Sequence, residues 1–235
     1  MQVLIFDLRG SVAHYRRPDT MGTQATYPFI TRTALRGLIA SMLGLDMLPE
    51  QARCGLRLLG PVRTVAQELS MHGKSWVSGG DEKSFRRPTA IELVVKPHYR
   101  VYYTGAFEEE LKALLQDSRS HYHTYLGSAF CLTFPKWIKE VEDPHELEPD
   151  PQQEILCQTV VPAPAVHQLV PEVGRQYARV GGLLKDYLGD RRFRGTVAVI
   201  YEVDGAPLRF RPNPRGPASF WSFYCIPEEG VVCLW

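Results

Sequence analysis

The apolar residues of the first 140 positions follow two periods. A short apolar run at residues 3–8 predicts a buried strand, because it is continuous and partly β-branched and ends at Arg9-Gly10. A helix is predicted to begin after Thr31, as its N-cap, and to end at Gly44. The buried face of this helix consists of apolar residues at helical spacing: Leu35, Leu38, Ile39, Met42 and Leu43.

Further apolar periods predict more strands and a second helix. Residues 54–69 and 129–141 contain strand-like stretches, and residues 107–116 form an amphipathic helix. Residues 89–95 and 100–103 predict a strand pair around the turn at residues 96–99. The resulting order, strand–helix–strand–strand–helix–strand, is that of the ferredoxin-like split βαβ fold, which also underlies the RRM. We therefore predict an α+β protein with a ferredoxin-like domain.

Two polar segments interrupt this pattern. Residues 71–87 are basic and contain glycine, which predicts an exposed hairpin or flexible finger. Residues 140–154 are acidic and contain three prolines, which predicts a linker. Strand-like runs at 155–161, 196–203 and 208–211 follow. We expect a domain at residues 1–145 and a smaller β-rich C-terminal region at residues 146–235.

Composition narrows the class of protein. Hydrophobic and charged fractions of 44% and 23% are ordinary for a soluble globular protein, and no apolar run approaches the roughly 20 residues of a membrane helix. The first residues lack the basic region of a signal peptide. The five cysteines are odd in number and lack CxxC spacing, which argues against a disulfide framework or zinc ribbon and favours the cytoplasm. We expect no cofactor, no metal and no membrane partner.

The net charge of +1 conceals an asymmetry along the chain. Residues 1–100 carry 14 Lys and Arg against 8 Asp and Glu, whereas the remainder carries 13 against 18. A basic half beside an acidic half suits phosphate contacts on one face and protein contacts on another. Two ordinarily solvated surfaces would give the same counts.

The strongest local signal joins a basic, aromatic loop to the start of the predicted helix. A helix N-terminus attracts phosphate through its free N–H groups and dipole, and arginine donates two parallel hydrogen bonds to phosphate. Aromatic rings in the loop could stack on unpaired bases. The RNA-binding residues predicted here are His14, Tyr15, Arg16, Arg17, Tyr27, Arg32, Thr33 and Arg36. A solvated basic loop with its aromatic rings in the core is an equal alternative.

The predicted finger supplies a second group of basic and aromatic side chains. This mixture suits single-stranded nucleic acid, whereas a surface loop that orders only on binding is the alternative. The RNA-binding residues predicted in the finger are Lys74, Trp76, Lys83, Arg86 and Arg87.

Groups able to catalyse RNA cleavage are present, but they form no established motif. Histidines can act as general acid and base, and His121 and His123 lack the acidic or cysteine residues that would complete a metal site. The sequence has no phosphate loop, no GxGxxG or GxSxG and no carboxylate pair typical of a two-metal nuclease. We expect no catalytic residues and no enzymatic activity. The groups considered are Tyr15, Lys96, His98, His121 and His123.

Four stretches in chain order carry a family resemblance: FDLRGSVAHYRRPDT, TYPFITRTALRGLIASMLGL, PTAIELVVKPHYRVYY and YLGSAFC. Together they resemble the Cas-five family of CRISPR-associated proteins, in the RAMP superfamily. The resemblance covers roughly the first 140 residues. The C-terminal glycine-rich loop of many RAMP proteins has only Gly181-Gly182 as a weak counterpart.

The resemblance implies a subunit of a type I Cascade complex, similar to type I-B members. Such subunits bind and cap the 5′ handle of the CRISPR RNA (crRNA). Their β-hairpin thumb projects toward the Cas-seven backbone subunit, and the large Cas-eight subunit docks nearby. Target DNA is met only indirectly, because guide pairing recognises it. By matching position, residues 14–17 and 32–36 would line the handle site and residues 71–87 would form the thumb.

Two other functions remain open. Type I-C members of the family cleave pre-crRNA themselves without metal, so an endoribonuclease is one alternative. A generic single-stranded RNA-binding module is the other, and it would bind RNA without regard to a repeat-derived end.

Overall fold

The computed structural model describes residues 1–20, 22–72, 86–216 and 219–235, apart from the side chains of residues 72, 86 and 87. This part of the chain contains two α-helices, α1 (Arg32–Leu43) and α2 (Glu108–Gln116), and a short 3-10 helix at Ala163–Ala165, among sixteen strands. The protein is therefore a β-rich α+β protein, as predicted. The strands are β1 Gln2–Arg9, β2 Val12–Ala13, β3 Arg53–Leu58, β4 Thr64–His72, β5 Arg86–Val95, β6 His98–Thr104, β7 Lys136–Glu142, β8 His145–Leu147, β9 Ile155–Cys157, β10 Val161–Pro162, β11 Val166–Leu169, β12 Tyr177–Tyr187, β13 Phe193–Glu202, β14 Leu208–Pro212, β15 Ser222–Ile226 and β16 Gly230–Leu234.

The first sheet has the order β3-β6-β1-β7, and every neighbouring pair in it is antiparallel. Helix α1 packs against β3, and α2 packs against β1, β7 and α1. The central strand β1 is covered on both faces, so Val3, Leu4, Ile5 and Phe6 are all fully buried. This double burial explains why β1 is a continuous apolar run and not an alternation of apolar and polar residues.

Helix α1 begins and ends where the sequence predicts. The Thr31 hydroxyl accepts a hydrogen bond from the Ala34 N–H at 3.3 Å, and Gly44 ends the helix in the left-handed conformation with φ 73°. Helix α2 begins at Glu108, one residue later than predicted, because Phe107 occupies its N-cap with φ 62°. The Glu108 carboxylate accepts the N–H of Gly105 at 2.6 Å, which holds the turn that leads into this helix.

The strands predicted at residues 89–95 and 100–103 are both present, as β5 and β6, but the predicted pairing between them is wrong. Strand β5 lies in a second sheet of order β2-β5-β4, whereas β6 pairs with β1 and β3 in the first sheet. Lys96, with φ 49°, turns the chain from one sheet to the other. Its N–H donates to the Ser11 carbonyl at 2.8 Å, and the Gly10 N–H donates to the Pro97 carbonyl at 3.2 Å. The turn between β5 and β6 therefore carries the chain from the second sheet to the first sheet and does not join two paired strands.

The acidic linker predicted at residues 140–154 is also wrong in its first half. Strand β7 continues to Glu142, and β8 pairs with β15. Two acidic side chains on edge strands are ion-paired: Glu140 meets Lys112 at 2.6 Å, and Glu146 meets Arg215 at 2.7 Å. Part of the acidity of this segment therefore serves salt bridges.

The C-terminal part folds into two sheets, of orders β10-β13-β12 and β11-β14-β9-β16-β15-β8. The larger sheet covers the face of the first sheet that the helices leave open. Tyr224, Ile226, Val232 and Leu234 pack there against a buried cluster that includes Tyr102 of β6. The strands predicted near 196–203 and 208–211 are confirmed, and the run predicted at 155–161 is divided between β9 and β10, which lie in different sheets. Strands β11, β12, β15 and β16 were not predicted.

Backbone hydrogen bonds join the two sides of the boundary predicted at residue 145. Cys54 of β3 and the terminal Trp235 exchange two of them, at 3.3 and 3.0 Å, and the Val160 N–H donates to the Leu56 carbonyl at 2.8 Å. One buried cluster contains residues from both parts. The division into residues 1–145 and 146–235 stays a prediction.

Candidate nucleic-acid interface

A groove of about 440 Å³ lies where helix α1 begins. Its walls come from the loop after β1, the first turn of α1, a short loop at Gly127-Ser128 and Leu184 of β12. Five of the predicted RNA-binding residues line it: His14, Tyr15, Arg16, Tyr27 and Thr33. The structure thus brings together residues that are up to 19 positions apart in the sequence, along with a wall from β12 that the sequence did not reveal.

Backbone hydrogen bonds fix the loop that forms one wall of the groove. The Tyr27 N–H donates to the Tyr15 carbonyl at 2.8 Å, and the Arg17 N–H donates to the Ala25 carbonyl at 2.9 Å. Gly127 approaches this loop so closely that a Cβ there would lie 2.1 Å from the His14 carbonyl oxygen. Only glycine fits this contact, and its φ of +86° also favours glycine.

The three rings predicted to stack on bases lie beneath the walls of the groove and are almost inaccessible. His14, Tyr15 and Tyr27 are 4%, 4% and 7% exposed. The His14 Nδ1 lies 2.8 Å from the Glu92 carbonyl oxygen, and the Tyr27 hydroxyl donates to the Gly182 carbonyl at 2.7 Å. Burial raises the pKa of Tyr15 well above its ordinary value. Stacking of these rings on bases stays a prediction, and it requires that they move outward from the positions described.

The accessible cation of the groove is Arg16. It is exposed and makes no ion pair with any side chain that the structure describes. Arg17 differs, because its guanidinium donates to both Asp19 carboxylate oxygens, at 3.1 and 2.7 Å, and lies 5.9 Å from the centre of the Tyr27 ring. Helix α1 adds the positive end of its dipole, with no acidic side chain in its first turn. An anion in the groove would meet Arg16 and this helix end.

Arg32 and Arg36 are bound to protein groups. Arg32 donates to the Asp186 carboxylate at 2.9 Å and to the Lys185 carbonyl, and its side chain is 10% exposed. Arg36 donates to three carbonyls, those of Leu48 at 3.0 Å, Pro49 at 2.8 Å and Ala52. The two arginines therefore fasten β12 and the 48–52 loop to helix α1. Their predicted contact with RNA stays untested.

The predicted finger lies largely outside the described residues. Lys74, Trp76 and Lys83 are among those left out, and Arg86 and Arg87 are described only as backbone of β5. The adjoining strands β4 and β5 are antiparallel from Thr64↔Val94 to His72↔Arg86. The RNA-binding role of these residues stays a prediction.

The groups considered for catalysis are scattered over several elements. His98 begins β6, with its Nε2 3.8 Å from the Asp7 carboxylate. The His121 ring packs edge-on against Tyr122, with centroids 4.6 Å apart. Among the residues that the structure describes, no cluster of three or more His, Cys, Asp and Glu side chains could hold a metal ion.

The sheet face that an RRM offers to RNA is occupied here. Tyr224 and Ile226 of β15 and Val232 and Leu234 of β16 pack against it. Tyr102 on that face is fully buried and donates to Glu229 at 2.8 Å. RNA could reach this surface only by displacing the C-terminal sheet, which leaves the groove at helix α1 as the better candidate. No helix in the described part of the chain is long and apolar enough to cross a membrane.

Comparison with solved structures shows the fold of CRISPR-associated proteins. One similar structure is titled "CRISPR RNA-guided surveillance complex": it shares 16% identity over 92% of this chain and 94% of that chain, with a TM-score of 0.53. Another is a CRISPR protein from Archaeoglobus fulgidus, with 14% identity over 99% of both chains and a TM-score of 0.56.

A family model described as CRISPR-associated protein (Cas_Cas5) matches residues 3–161. This is more than half of the chain, so the protein belongs to the Cas-five (Cas5) family, and the predicted family is confirmed. No curated protein matches the sequence.

Proposed function

We propose that this chain binds and caps the 5′ handle of the crRNA as a subunit of a type I CRISPR surveillance complex. The observation that carries the proposal is the groove at the start of α1, where exposed Arg16 meets the positive end of the helix dipole. Membership of the Cas-five family supports it. A similar structure titled as an RNA-guided surveillance complex supports the setting. The type I-B-like subtype rests on the sequence resemblance alone.

We infer further that β1, α1, β3, β6, α2 and β7 form a ferredoxin-like unit. The sheet order β3-β6-β1-β7 and the antiparallel pairing support this inference. The long antiparallel pair β4–β5 supports a β-hairpin thumb at about residues 71–87.

The proposed protein partners are the Cas-seven backbone subunit and the Cas-eight large subunit, with target DNA met only through the assembled complex. An exposed apolar segment supports contact with protein. Tyr125 and Leu132 face one another in an isolated antiparallel bridge and are 46% and 52% exposed. Phe130 and Phe134, two residues to either side of Leu132 in the chain, are 55% and 79% exposed. Contiguous exposed apolar side chains are typical of interaction sites.

The RNA proposal is tested by replacing the accessible cation of the groove. Arg16→Ala should weaken binding of a labelled RNA that carries the repeat-derived 5′ end, and should reduce the slope of log Kd against log salt by about 0.7 for each phosphate that the protein no longer neutralises. Arg119→Ala is the matched control, because Arg119 is exposed and pairs only with Asp117 among the described side chains. If Arg16→Ala and Arg119→Ala give the same affinity and slope, the groove is not the handle site.

We also propose that the isolated protein does not cleave RNA. Cleavage without metal needs a base for the 2′-OH proton, an acid for the leaving oxygen and a cation for the developing charge. Burial disfavours the Tyr15 phenolate that a base would require. His98 faces Asp7, and Asp7 also receives two hydrogen bonds from Arg100.

Cleavage is measured with purified protein and labelled repeat RNA in EDTA near neutral pH. We expect intact RNA. A single specific cut that is abolished in His98→Ala or Lys96→Ala would establish the endoribonuclease alternative, as in type I-C members.

A further inference from the structure

A second and larger cavity, of about 770 Å³, lies next to the groove and is lined by residues 185–187 of β12. It is enclosed by the first turns of α1, the loop at residues 46–50, the tip of the β12–β13 hairpin, Phe220 and Trp235. Its volume falls within the range of about 300–1,000 Å³ that is usual for small-ligand sites. Thr33 and Ala34 line both this cavity and the groove. A strand bound in the groove could therefore continue into the cavity along helix α1.

Aromatic rings form much of the cavity wall. Tyr187 and Phe193 oppose one another across the β12–β13 hairpin, with ring centroids 5.4 Å apart. They are 42% and 41% exposed, which leaves ring surface for a ligand. The buried wall includes Trp235, which is 6% exposed. Exposed rings beside a deep apolar wall suit a flat aromatic ligand.

Cationic groups lie among these rings. The Lys185 ammonium lies 4.2 Å from the centre of the Phe220 ring. Arg194 is 60% exposed and meets Glu50 at 2.9 Å, so it joins the hairpin tip to the 46–50 loop. Arg32 also lines the cavity, and its side chain is nine-tenths buried.

A nucleotide has two features that suit this cavity. Its base offers a flat face for the Tyr187 and Phe193 rings, and its phosphate would meet Lys185 and Arg194 at the rim. An apolar side chain from a partner protein would contact the rings but would bring no anion to these cations.

We propose that this cavity holds one unpaired nucleobase of the RNA bound in the groove, stacked on the Tyr187–Phe193 pair. The proposal rests on the proposed function, because the same RNA must occupy the groove. It adds a stacking contact with a base from the C-terminal region, which the sequence did not predict.

The experiment combines a double variant with an abasic scan. The probe is a labelled RNA with the repeat-derived 5′ end, made in a series with one abasic nucleotide at each position. For the wild-type protein, one position should show affinity weakened at least about fivefold, the lower limit for loss of a stacked base. In Tyr187→Ala/Phe193→Ala the intact RNA should bind with that same reduction, and the abasic position should cost nothing more. The matched control is Tyr122→Ala/Phe134→Ala, which removes two exposed rings outside both cavities.

Each other outcome rejects a different part of the proposal. If the double variant binds every RNA as the wild type does, the cavity holds no base, although the groove proposal stands. If the wild type binds none of the RNAs, the proposed function and this inference both fail. If RNA binding is unchanged but the double variant no longer assembles with the other subunits, the cavity is a protein-docking site and the inference is wrong.

Discussion

Glu229 is a buried carboxylate that lies between two arginines of the first sheet. Arg57 and Arg100 are direct cross-strand neighbours on β3 and β6, a position where like charges repel. Glu229 lies 3.1 Å from Arg100 and 3.6 Å from Arg57, and it accepts the Tyr102 hydroxyl at 2.8 Å. Its side chain is 6% exposed. Because Glu229 belongs to the β15–β16 turn, this network fastens the C-terminal sheet to the first sheet.

Glu229→Gln keeps the shape of the side chain and removes its charge. Removing one partner of a buried ion pair costs about 3–5 kcal/mol. Arg57 and Arg100 are 27% and 21% exposed, so water offsets part of this cost, and Gln can still accept from Tyr102. Hydrogen bonds to charged groups contribute about 1.5–3 kcal/mol. We therefore expect a destabilisation of about 2–3 kcal/mol, which is a fall in Tm of about 4–12 °C for a chain of this size.

Urea and thermal unfolding followed by circular dichroism at neutral pH measure this destabilisation. Glu228→Gln is the control, because Glu228 is the preceding residue, has the same chemistry and pairs with Lys139 while 83% exposed. Exposed pairs contribute about 0–1 kcal/mol. Equal stability losses in Glu229→Gln and Glu228→Gln would refute the reasoning that burial between two arginines gives Glu229 its importance.

Three further predictions concern the groove and its supports. Gly127→Ala should destabilise the fold more than Gly174→Ala in urea unfolding. Both glycines have left-handed φ, at +86° and +80°, but only a Cβ at residue 127 would strike the His14 carbonyl. The backbone strain common to both variants is about 1–3 kcal/mol, and equal losses of stability would contradict the close approach of Gly127 to His14. Arg36→Ala should cost about 2–3 kcal/mol by the same measurement, since three carbonyls lose a charged donor; unchanged stability would mean that these bonds contribute little. All five cysteines are in the described part, and Cys225 alone among them is exposed, so a thiol reagent should modify one site in the native protein. Burial raises the pKa of Cys54 to about 11, so Cys54 should react only after unfolding. Modification of Cys54 in the native state would contradict its burial.

The sequence predicted helix α1 accurately because its determinants are local. The Thr31 cap, the spacing of the buried leucines and Gly44 all lie within 14 residues. Helical spacing also showed that Arg32 and Arg36 share a face, but it could not show what that face meets. Asp186, the partner of Arg32, is 154 positions away, and long-range partners of this kind carry no local signal. The basic pattern therefore predicted phosphate contacts, which stay untested, but could not predict the internal contacts of these two arginines.

The aromatic loop shows the opposite limit. The sequence correctly grouped His14, Tyr15 and Tyr27, which all line the groove. It left open whether their rings were exposed, because an aromatic residue in a polar loop suits either a stacking surface or a core. Hydrogen bonds within the loop, and between the loop and the segment at Gly127, hold these rings in their buried positions, and those bonds depend on the tertiary fold.

The position of β12 explains why RNA recognition in this chain would depend on its C-terminal region. The C-terminal sheet closes the face of the first sheet, so RNA is left with the edge where α1 begins. There β12 lines the groove through Leu184 and the larger cavity through residues 185–187. Its register shifts at Gly181-Gly182, where the Gly182 carbonyl accepts the Tyr27 hydroxyl. Arg32 holds the same strand through Asp186. Any displacement of β12 would therefore change both cavities together, so the groove and the proposed base site should gain or lose RNA affinity as one unit.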